Sequence, residues 1–302
     1  MEKCLLCMQN AKLVYSHIIP SFVCKWFKDT SATGYMRQFE NLNKRAQDGV
    51  KKKLLCTNCE GLLNKGETPF AKHIFYPYVN NVLSPAGVVT ANQTFKYENW
   101  LLYFAISLQW RRMITSRLKR GNFPDRMYDI WDNYKYIWRD FLNGERTDTG
   151  DCETHLIFLQ NLIAGSGYLP QNINKNINSY LIRCLDSTTV LSKNKLGIYS
   201  KIGPIVIFTS IIPNKLNKLP HSKIKTKGVI STSQNIENTS LTNFIFIDRP
   251  NDVLSKIKFS PKQEELIERE LLKNPGRTLN SMEFKILDTD LTLNKLKTKR
   301  FK

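Results

Sequence analysis

Apolar and polar residues follow different patterns in successive parts of the chain. Up to about residue 78, short apolar runs are interrupted by two CxxC pairs and by glycines. From Glu98 to about Arg120 a stretch without glycine or proline ends in basic residues, which predicts a long helix. From about Pro124 to Leu142 large apolar residues recur at spacings of three and four, which predicts a second helix. We expect these two helices to pack on each other.

Beyond Tyr180 the pattern changes to β-branched and aromatic runs separated by turn residues, which predicts the strands of an antiparallel sheet. The predicted strands lie in SYLIRCL, TTVLS, GIYSK, IGPIVIFTSIIP, GVIST and NFIFI. A short helix from Ser260 to Asn274 is indicated by a serine cap, a proline at the first helical position and early acidic residues. The basic tail from Lys295 to Lys302 is either a disordered arm or a phosphate clamp.

The composition indicates a folded protein with a large positive charge. Hydrophobic residues make up 41% of the 302 residues and aromatic residues 11%, which is too apolar for general disorder. Lysine and arginine number 45 against 26 acidic residues, a formal charge of +19, so the protein should attract polyanions. The alternative is a set of solvated surface lysines. No apolar run reaches the roughly 18 residues of a membrane span and no secretory signal is present, so we expect a soluble, cytoplasmic protein.

Two cysteine pairs of identical spacing predict a metal site. Cys4 and Cys7 form the first CxxC pair, and Cys56 and Cys59 form the second. Two residues between thiolates allow both sulfurs to face one ion, so two such pairs complete the tetrahedral shell of a structural zinc site. A site closed by four protein ligands leaves no position for water or substrate. We therefore predict a zinc-bound treble-clef module; the alternative is four unrelated buried cysteines.

The segment between the cysteine pairs contains a histidine motif. The chain has CLLC, then SHIIP, then LLCTNCEGLLNKGE, and in this respect it resembles the HNH, or ββα-metal, endonucleases whose fold is held by two CxxC knuckles. The resemblance covers roughly residues 4 to 75. It implies that His17 is the general base that takes a proton from the attacking water, and histidine suits that role near neutral pH. It also implies a catalytic Mg²⁺ or Mn²⁺ ion, distinct from the zinc.

The sequence departs from the family pattern at two positions expected to bind that ion. Ser16 stands where an acidic residue usually precedes the histidine, and Glu60 stands where Asn or His usually follows the second knuckle. Glu60 is an oxygen donor that can coordinate a hard cation. Asp48, Asn64 and Glu67 are further oxygen donors nearby in the sequence, and Glu67 is the preferred substitute for the missing ligand. The alternative is that His17 packs within a finger that only binds nucleic acid.

Basic residues between the knuckles and on the first predicted helix are candidates for phosphate contacts. The candidates are Lys44, Arg45, Lys51, Lys52, Lys53, Arg111 and Arg112. An ordinary solvated hairpin would carry the same lysines.

These inferences combine into an expected α+β organisation. A zinc-bound module is expected at residues 1–78, a mainly helical segment at 79–178, and an α+β domain with an antiparallel sheet and a basic tail at 179–302. The resemblance implies a metal-dependent endonuclease that cleaves DNA, with RNA the second choice, similar to nuclease effectors of bacterial anti-phage defence. The alternatives are a non-catalytic zinc-finger subunit that binds nucleic acid, and an adaptor of a larger complex. The C-terminal domain is then the candidate site for a protein partner or another copy of the chain.

Overall fold

The structure, a computed structural model, describes residues 2–38, 41–81, 92–116, 118–160 and 172–300. In these residues helices alternate with small antiparallel sheets, so the mixed helix and sheet architecture expected from the sequence is present. Within the same ranges no helix is long and apolar enough to cross a membrane.

The N-terminal part is built from three short ribbons and the helices that follow them in the chain. The first ribbon pairs β1 (Glu2–Lys3) with β2 (Asn10–Ala11). The second pairs β3 (Leu13–His17) with β6 (Lys51–Cys56), and α2 (Thr57–Phe70) follows directly. Three elements are inserted between the strands of the second ribbon: α1 (Ser21–Asp29), β4 (Met36–Gln38) and β5 (Asn41–Ala46), the last two forming a ribbon of their own. After α2 the chain continues through a π-helical turn (Ala71–Phe75) into α3 (Tyr76–Val79).

The two predicted long helices are present and pack on each other, as expected. They are α4 (Trp100–Thr115) and α5 (Asp125–Asn143). The indole of Trp110 donates to the carbonyl of Lys135 at 3.0 Å, and Tyr103 donates to that of Leu142 at 2.9 Å. Helix α4 ends before the predicted Arg120. At its end the hydroxyls of Thr115 and Ser116 donate back to helix carbonyls, and such bonds are typical of the residues that stop a helix.

The largest sheet has four antiparallel strands in the order β8-β11-β10-β9. They are β8 (Glu153–Phe158), β9 (Leu185–Leu191), β10 (Leu196–Ile202) and β11 (Ile205–Ile212). Strand β8 precedes the predicted segment boundary at 178/179, so the sheet takes strands from both sides of it. A separate ribbon pairs β7 (Thr94–Tyr97) with β12 (Gly228–Ser231) and likewise joins the two segments.

Two segments predicted as strands are helical, and those predictions were wrong. SYLIRCL lies mainly in α6 (Ile177–Arg183), and NFIFI lies in a π-helical turn (Phe244–Asp248) between α7 (Thr239–Asn243) and α8 (Arg249–Ser255). Short apolar runs fit a buried strand and a buried helix equally well, so tertiary partners decide between them. For α6 the partner is the buried carboxylate of Asp290, which accepts from the backbone N–H groups of Asn178 and Ser179 at 2.9 and 3.2 Å.

The C-terminal helices follow the sequence prediction more closely. Helix α9 (Pro261–Lys273) begins after Ser260, whose hydroxyl accepts from the backbone N–H of Gln263 at 3.3 Å, as a serine cap should. It is followed by α10 (Pro275–Asn280) and α11 (Met282–Arg300). As far as Arg300 the predicted basic tail continues α11. Residues 301 and 302 lie outside the described residues.

One apolar cluster joins the N-terminal part to the rest of the chain. Phe70 of α2 stacks on Phe104 of α4 with ring centroids 3.9 Å apart. Leu156 of β8 and Ile205 of β11 belong to the same buried cluster. Helices α2 and α4 approach closely, since a Cβ added at Gly66 would lie 2.8 Å from the backbone nitrogen of Phe104. The three predicted segments thus share a core, and their assignment as separate units stays a prediction.

Candidate metal centre and histidine site

The four predicted zinc ligands come together at one point. Cys4 and Cys7 lie in the turn between β1 and β2, while Cys56 ends β6 and Cys59 lies in the first turn of α2. The four sulfur atoms all lie within 4.8 Å of one another, and the sulfurs of Cys7 and Cys56 are 4.0 Å apart. Four thiolates at about 2.3 Å from a tetrahedral zinc ion lie about 3.8 Å from one another. These cysteines could therefore hold a metal ion such as zinc.

Backbone groups around the cluster favour thiolate at one cysteine. Burial on its own would raise the pKa of the Cys4 thiol, but hydrogen bonds from the backbone of Cys56, Cys7 and Leu6 outweigh it and lower the pKa to about 7. The N–H of Cys56 donates to the Cys4 sulfur at 3.3 Å. Burial raises the pKa of Cys59, and the neighbouring thiols raise it further. Four crowded thiolates repel one another, and a bound divalent cation would stabilise them.

His17, at the end of β3, is held by a carboxylate. Its Nε2 lies 2.9 Å from Oδ1 of Asp48, and Oδ2 of Asp48 lies 2.5 Å from the ammonium of Lys51. Burial would raise the pKa of the Asp48 carboxyl, but the bonds from Lys51 and His17 outweigh it and hold that pKa well below its usual range. An ionised Asp48 can only accept at this contact, so in a neutral His17 imidazole the proton lies on Nε2 and the lone pair on Nδ1.

Ser16 and Glu60 meet on the other face of β3. The Ser16 hydroxyl is fully buried and donates to Oε2 of Glu60 at 2.5 Å. Glu60 lies in the first turn of α2, directly after the second cysteine pair. The two positions where the sequence departs from the HNH pattern are therefore in direct contact.

Glu67 and Arg111 form an ion pair beside the same strand. Nη2 of Arg111 donates to Oε1 of Glu67 at 2.6 Å, and Nη1 donates to the backbone carbonyl of His17 at 2.8 Å. Only 1% of the Arg111 side chain is exposed. Arg111 thus joins α4, α2 and β3 and is out of reach of a bound phosphate, contrary to expectation. The carboxylate of Glu67, expected as a metal ligand, is paired with the guanidinium of Arg111.

The other predicted phosphate contacts differ in their surroundings. Arg112 is partly buried, and burial lowers the pKa of its guanidinium. Arg45 is exposed, with its guanidinium 4.5 Å from the ring centre of Tyr35 and 3.8 Å from Glu270. The remaining candidates are exposed lysines, one on β5 and three on β6: Lys44, Lys51, Lys52 and Lys53. Their contact with nucleic acid stays a prediction.

A pocket that the sequence did not predict adjoins this site. It has a volume of about 390 Å³, and its lining includes Lys25, Lys28, Asp48 and Tyr76. Helix α1 supplies both lysines, and Asp48 connects the pocket to His17. The sequence gives no sign that Lys25 and Lys28 lie near His17, because their position depends on how α1 packs against the ribbon of β3 and β6.

Comparison of the chain with family models, with curated proteins and with solved structures returned no match.

Proposed function

We propose that the N-terminal part is a zinc-held nuclease site of the HNH, or ββα-metal, type that hydrolyses phosphodiester bonds in nucleic acid, with DNA favoured over RNA. The observation that carries this proposal is the arrangement around β3. The His17–Asp48 pair lies on one face, and the Ser16–Glu60 pair lies on the other face, one residue away. These are the positions to which the sequence resemblance assigns the base and the ion.

The order of elements supports the zinc-held treble-clef assignment. A knuckle between β1 and β2, the ribbon of β3 and β6, and a helix that begins at the second cysteine pair follow one another along the chain. Zinc bound to all four cysteines has no open coordination position, so its role is to hold the ribbon and the helix together. The chemistry then belongs to His17 and its neighbours.

The residues present suit the hydrolytic step. The Asp48 carboxylate orients the imidazole, and Nδ1 of His17 is the atom that takes a proton from the attacking water. Glu60 is the carboxylate for a hard cation, since Glu67 is already paired with Arg111. A Mg²⁺ or Mn²⁺ ion, when bound, would neutralise charge that develops on the scissile phosphate. The formal charge of +19 supplies the long-range attraction for a polyanion.

Nicking of supercoiled plasmid and cleavage of labelled single-stranded oligonucleotides with added Mg²⁺ or Mn²⁺ test this proposal. His17→Ala should lower the cleavage rate by about 100-fold or more, because the general base is lost, while zinc content and folding stay intact. His73→Ala is the matched control, since His73 is an exposed histidine on the π-helical turn. Glu60→Gln should raise the metal concentration needed for half-maximal rate, because an amide is a poorer ligand for a hard cation.

Other outcomes would select the alternatives. Salt-sensitive binding without cleavage by any divalent ion would identify a non-catalytic nucleic-acid-binding subunit. If His17→Ala cuts as fast as the wild type, the base lies elsewhere. If the variant loses zinc and unfolds, His17 is part of the scaffold.

A further inference from the structure

The ribbon of β3 and β6 presents one solvent-facing side that carries Tyr15, His17, Lys51 and Lys53, here named the His17 face. Tyr15 is paired with Lys53 and His17 with Lys51 in the strand register. The one register irregularity lies between Val14 and Tyr15, so Tyr15 and His17 lie on the same side of β3. Two residues along a strand span about 6.7 Å, which is close to the length of one nucleotide.

Tyr15 is an exposed aromatic ring beside the proposed base. It is 65% exposed, so little of the ring packs on the protein. The ammonium of Lys53 lies 5.6 Å from the ring centre, a cation–π distance that holds the ring in position. In the described residues no carboxylate forms an ion pair with Lys53, so its charge remains available to a phosphate.

The pocket beside Asp48 adjoins this surface. Its lysines, Lys25 and Lys28, make no ion pair with a carboxylate in the described part of the chain. Asp48 lines the pocket and also binds His17, so the pocket and the His17 face meet at one residue. Lys53 on the His17 face and Lys25 and Lys28 at the pocket thus lack a carboxylate partner in the described residues, and the exposed ring of Tyr15 lies beside Lys53.

This arrangement fits a single strand better than a duplex. In a duplex each base is stacked between its neighbours, so its flat face cannot reach a protein ring without unstacking. An unpaired base stacks readily on tyrosine, whatever its identity, while lysines follow the backbone. On the His17 face the ring lies about one nucleotide from His17.

We propose that the site takes single-stranded nucleic acid, with one base stacked on Tyr15, the adjacent phosphate at His17, and the backbone continuing into the pocket between Lys25 and Lys28. This inference rests on the proposed function, because it uses His17 as the point where the phosphate is bound. It adds the substrate class and three binding residues.

Binding of the zinc-loaded full-length chain to a labelled oligonucleotide tests the proposal, without added Mg²⁺ or Mn²⁺ so that the strand stays intact. Single-stranded DNA and RNA of one sequence are compared with the matching DNA duplex by fluorescence anisotropy. We expect the single strands to bind more tightly than the duplex. Tyr15→Leu should weaken single-strand binding by about tenfold and leave duplex binding unchanged, while Tyr15→Phe should bind as the wild type does.

A second tyrosine serves as the matched control for Tyr15, because it is similarly exposed and also has a cation beside its ring. Tyr136 on α5 is 57% exposed and has the guanidinium of Arg139 5.3 Å from its ring centre. Tyr136→Leu should therefore leave binding unchanged. Lys25→Gln combined with Lys28→Gln should reduce the slope of log affinity against log salt concentration by about 1.4, as expected when two phosphate contacts to a single strand are lost.

The outcomes separate this inference from the nuclease proposal. Equal binding by Tyr15→Leu and the wild type, or a preference for duplex, would overturn the single-strand assignment even if the protein cuts DNA. Single-strand binding that depends on Tyr15, without cleavage under any divalent ion, would support the binding site and overturn the nuclease proposal. A preference for RNA over DNA of the same sequence would support the site and assign it to RNA.

Discussion

Two glycines of α2 provide a direct test of how the proposed site is attached to the rest of the protein. A Cβ added at Gly66 would lie 2.8 Å from the backbone nitrogen of Phe104 and 2.9 Å from its Cα. At Gly61, in the same helix, nothing lies within 4 Å of such a Cβ. Gly66→Ala and Gly61→Ala therefore add the same methyl group to one helix. At Gly66 the methyl group meets the backbone of Phe104, and at Gly61 it meets no other atom within 4 Å.

The two substitutions should change stability in opposite directions. Alanine is favoured over glycine inside a helix by about 1 kcal/mol, so Gly61→Ala should stabilise the protein by about that amount. At Gly66 the added Cβ would press against backbone atoms of Phe104, and no side-chain rotation can move those atoms away. Overpacking costs about 1–3 kcal/mol, and a backbone contact belongs at the upper end of that range, about 3 kcal/mol. After the helix gain is subtracted, Gly66→Ala should destabilise the protein by about 2 kcal/mol.

Urea unfolding of the zinc-loaded protein, followed by tryptophan fluorescence, measures both free energies, and the m-values show whether the unfolding reaction is the same in each variant. A Gly66→Ala protein as stable as Gly61→Ala would refute the close packing of α2 on α4. The stacking of Phe70 on Phe104 would then also be in doubt, since it depends on the same approach.

Three further predictions follow from buried and clustered groups. Metal analysis should return about one zinc ion per chain, and Cys56→Ser should lose the metal and unfold the N-terminal part, while Cys152→Ser keeps the metal. Burial lowers the pKa of Lys201 to about 8 from its ordinary 10.5, so the native state binds fewer protons than the unfolded state between those values. The unfolding free energy should therefore rise by about 2 kcal/mol from pH 7 to pH 9.5 relative to Lys201→Met, and a flat difference would contradict this. Arg111→Met should cost about 3–5 kcal/mol because it leaves the Glu67 carboxylate without its cation, and adding Glu67→Gln should recover only part of that cost, since the bond to the His17 carbonyl stays lost.

Signals that act within a few residues made parts of this fold predictable. The serine cap and the following proline located the start of α9, and the absence of glycine and proline located α4. The identical spacing of the two cysteine pairs was enough to predict that their sulfurs come together, because two CxxC pairs supply the four thiolates of a tetrahedral zinc site.

Groups that act over long sequence distances made other parts unpredictable. The cap of α6 comes from Asp290 on α11, and nothing near α6 in the sequence indicates it. NFIFI does have a local signal, since the side chain of Asn238 accepts from the N–H of Leu241 and begins α7. An apolar run preceded by asparagine at that spacing should be weighed as a helix before it is assigned to a sheet.

The histidine site depends on the same kind of distant contact. The motif between the cysteine pairs identified His17, yet the backbone of His17 is held by Arg111, which the sequence indicated only as a surface cation. A basic residue in a helical pattern gives no sign of whether it faces solvent or a buried carboxylate, because the partner Glu67 lies on another helix. Arg111 on α4 contacts both β3 and α2. The geometry of the proposed site is therefore set by one strand and two helices that lie far apart in the chain. A nuclease site in this protein would therefore require the packing of α4 as well as the zinc, and the N-terminal motif alone does not contain all of its parts.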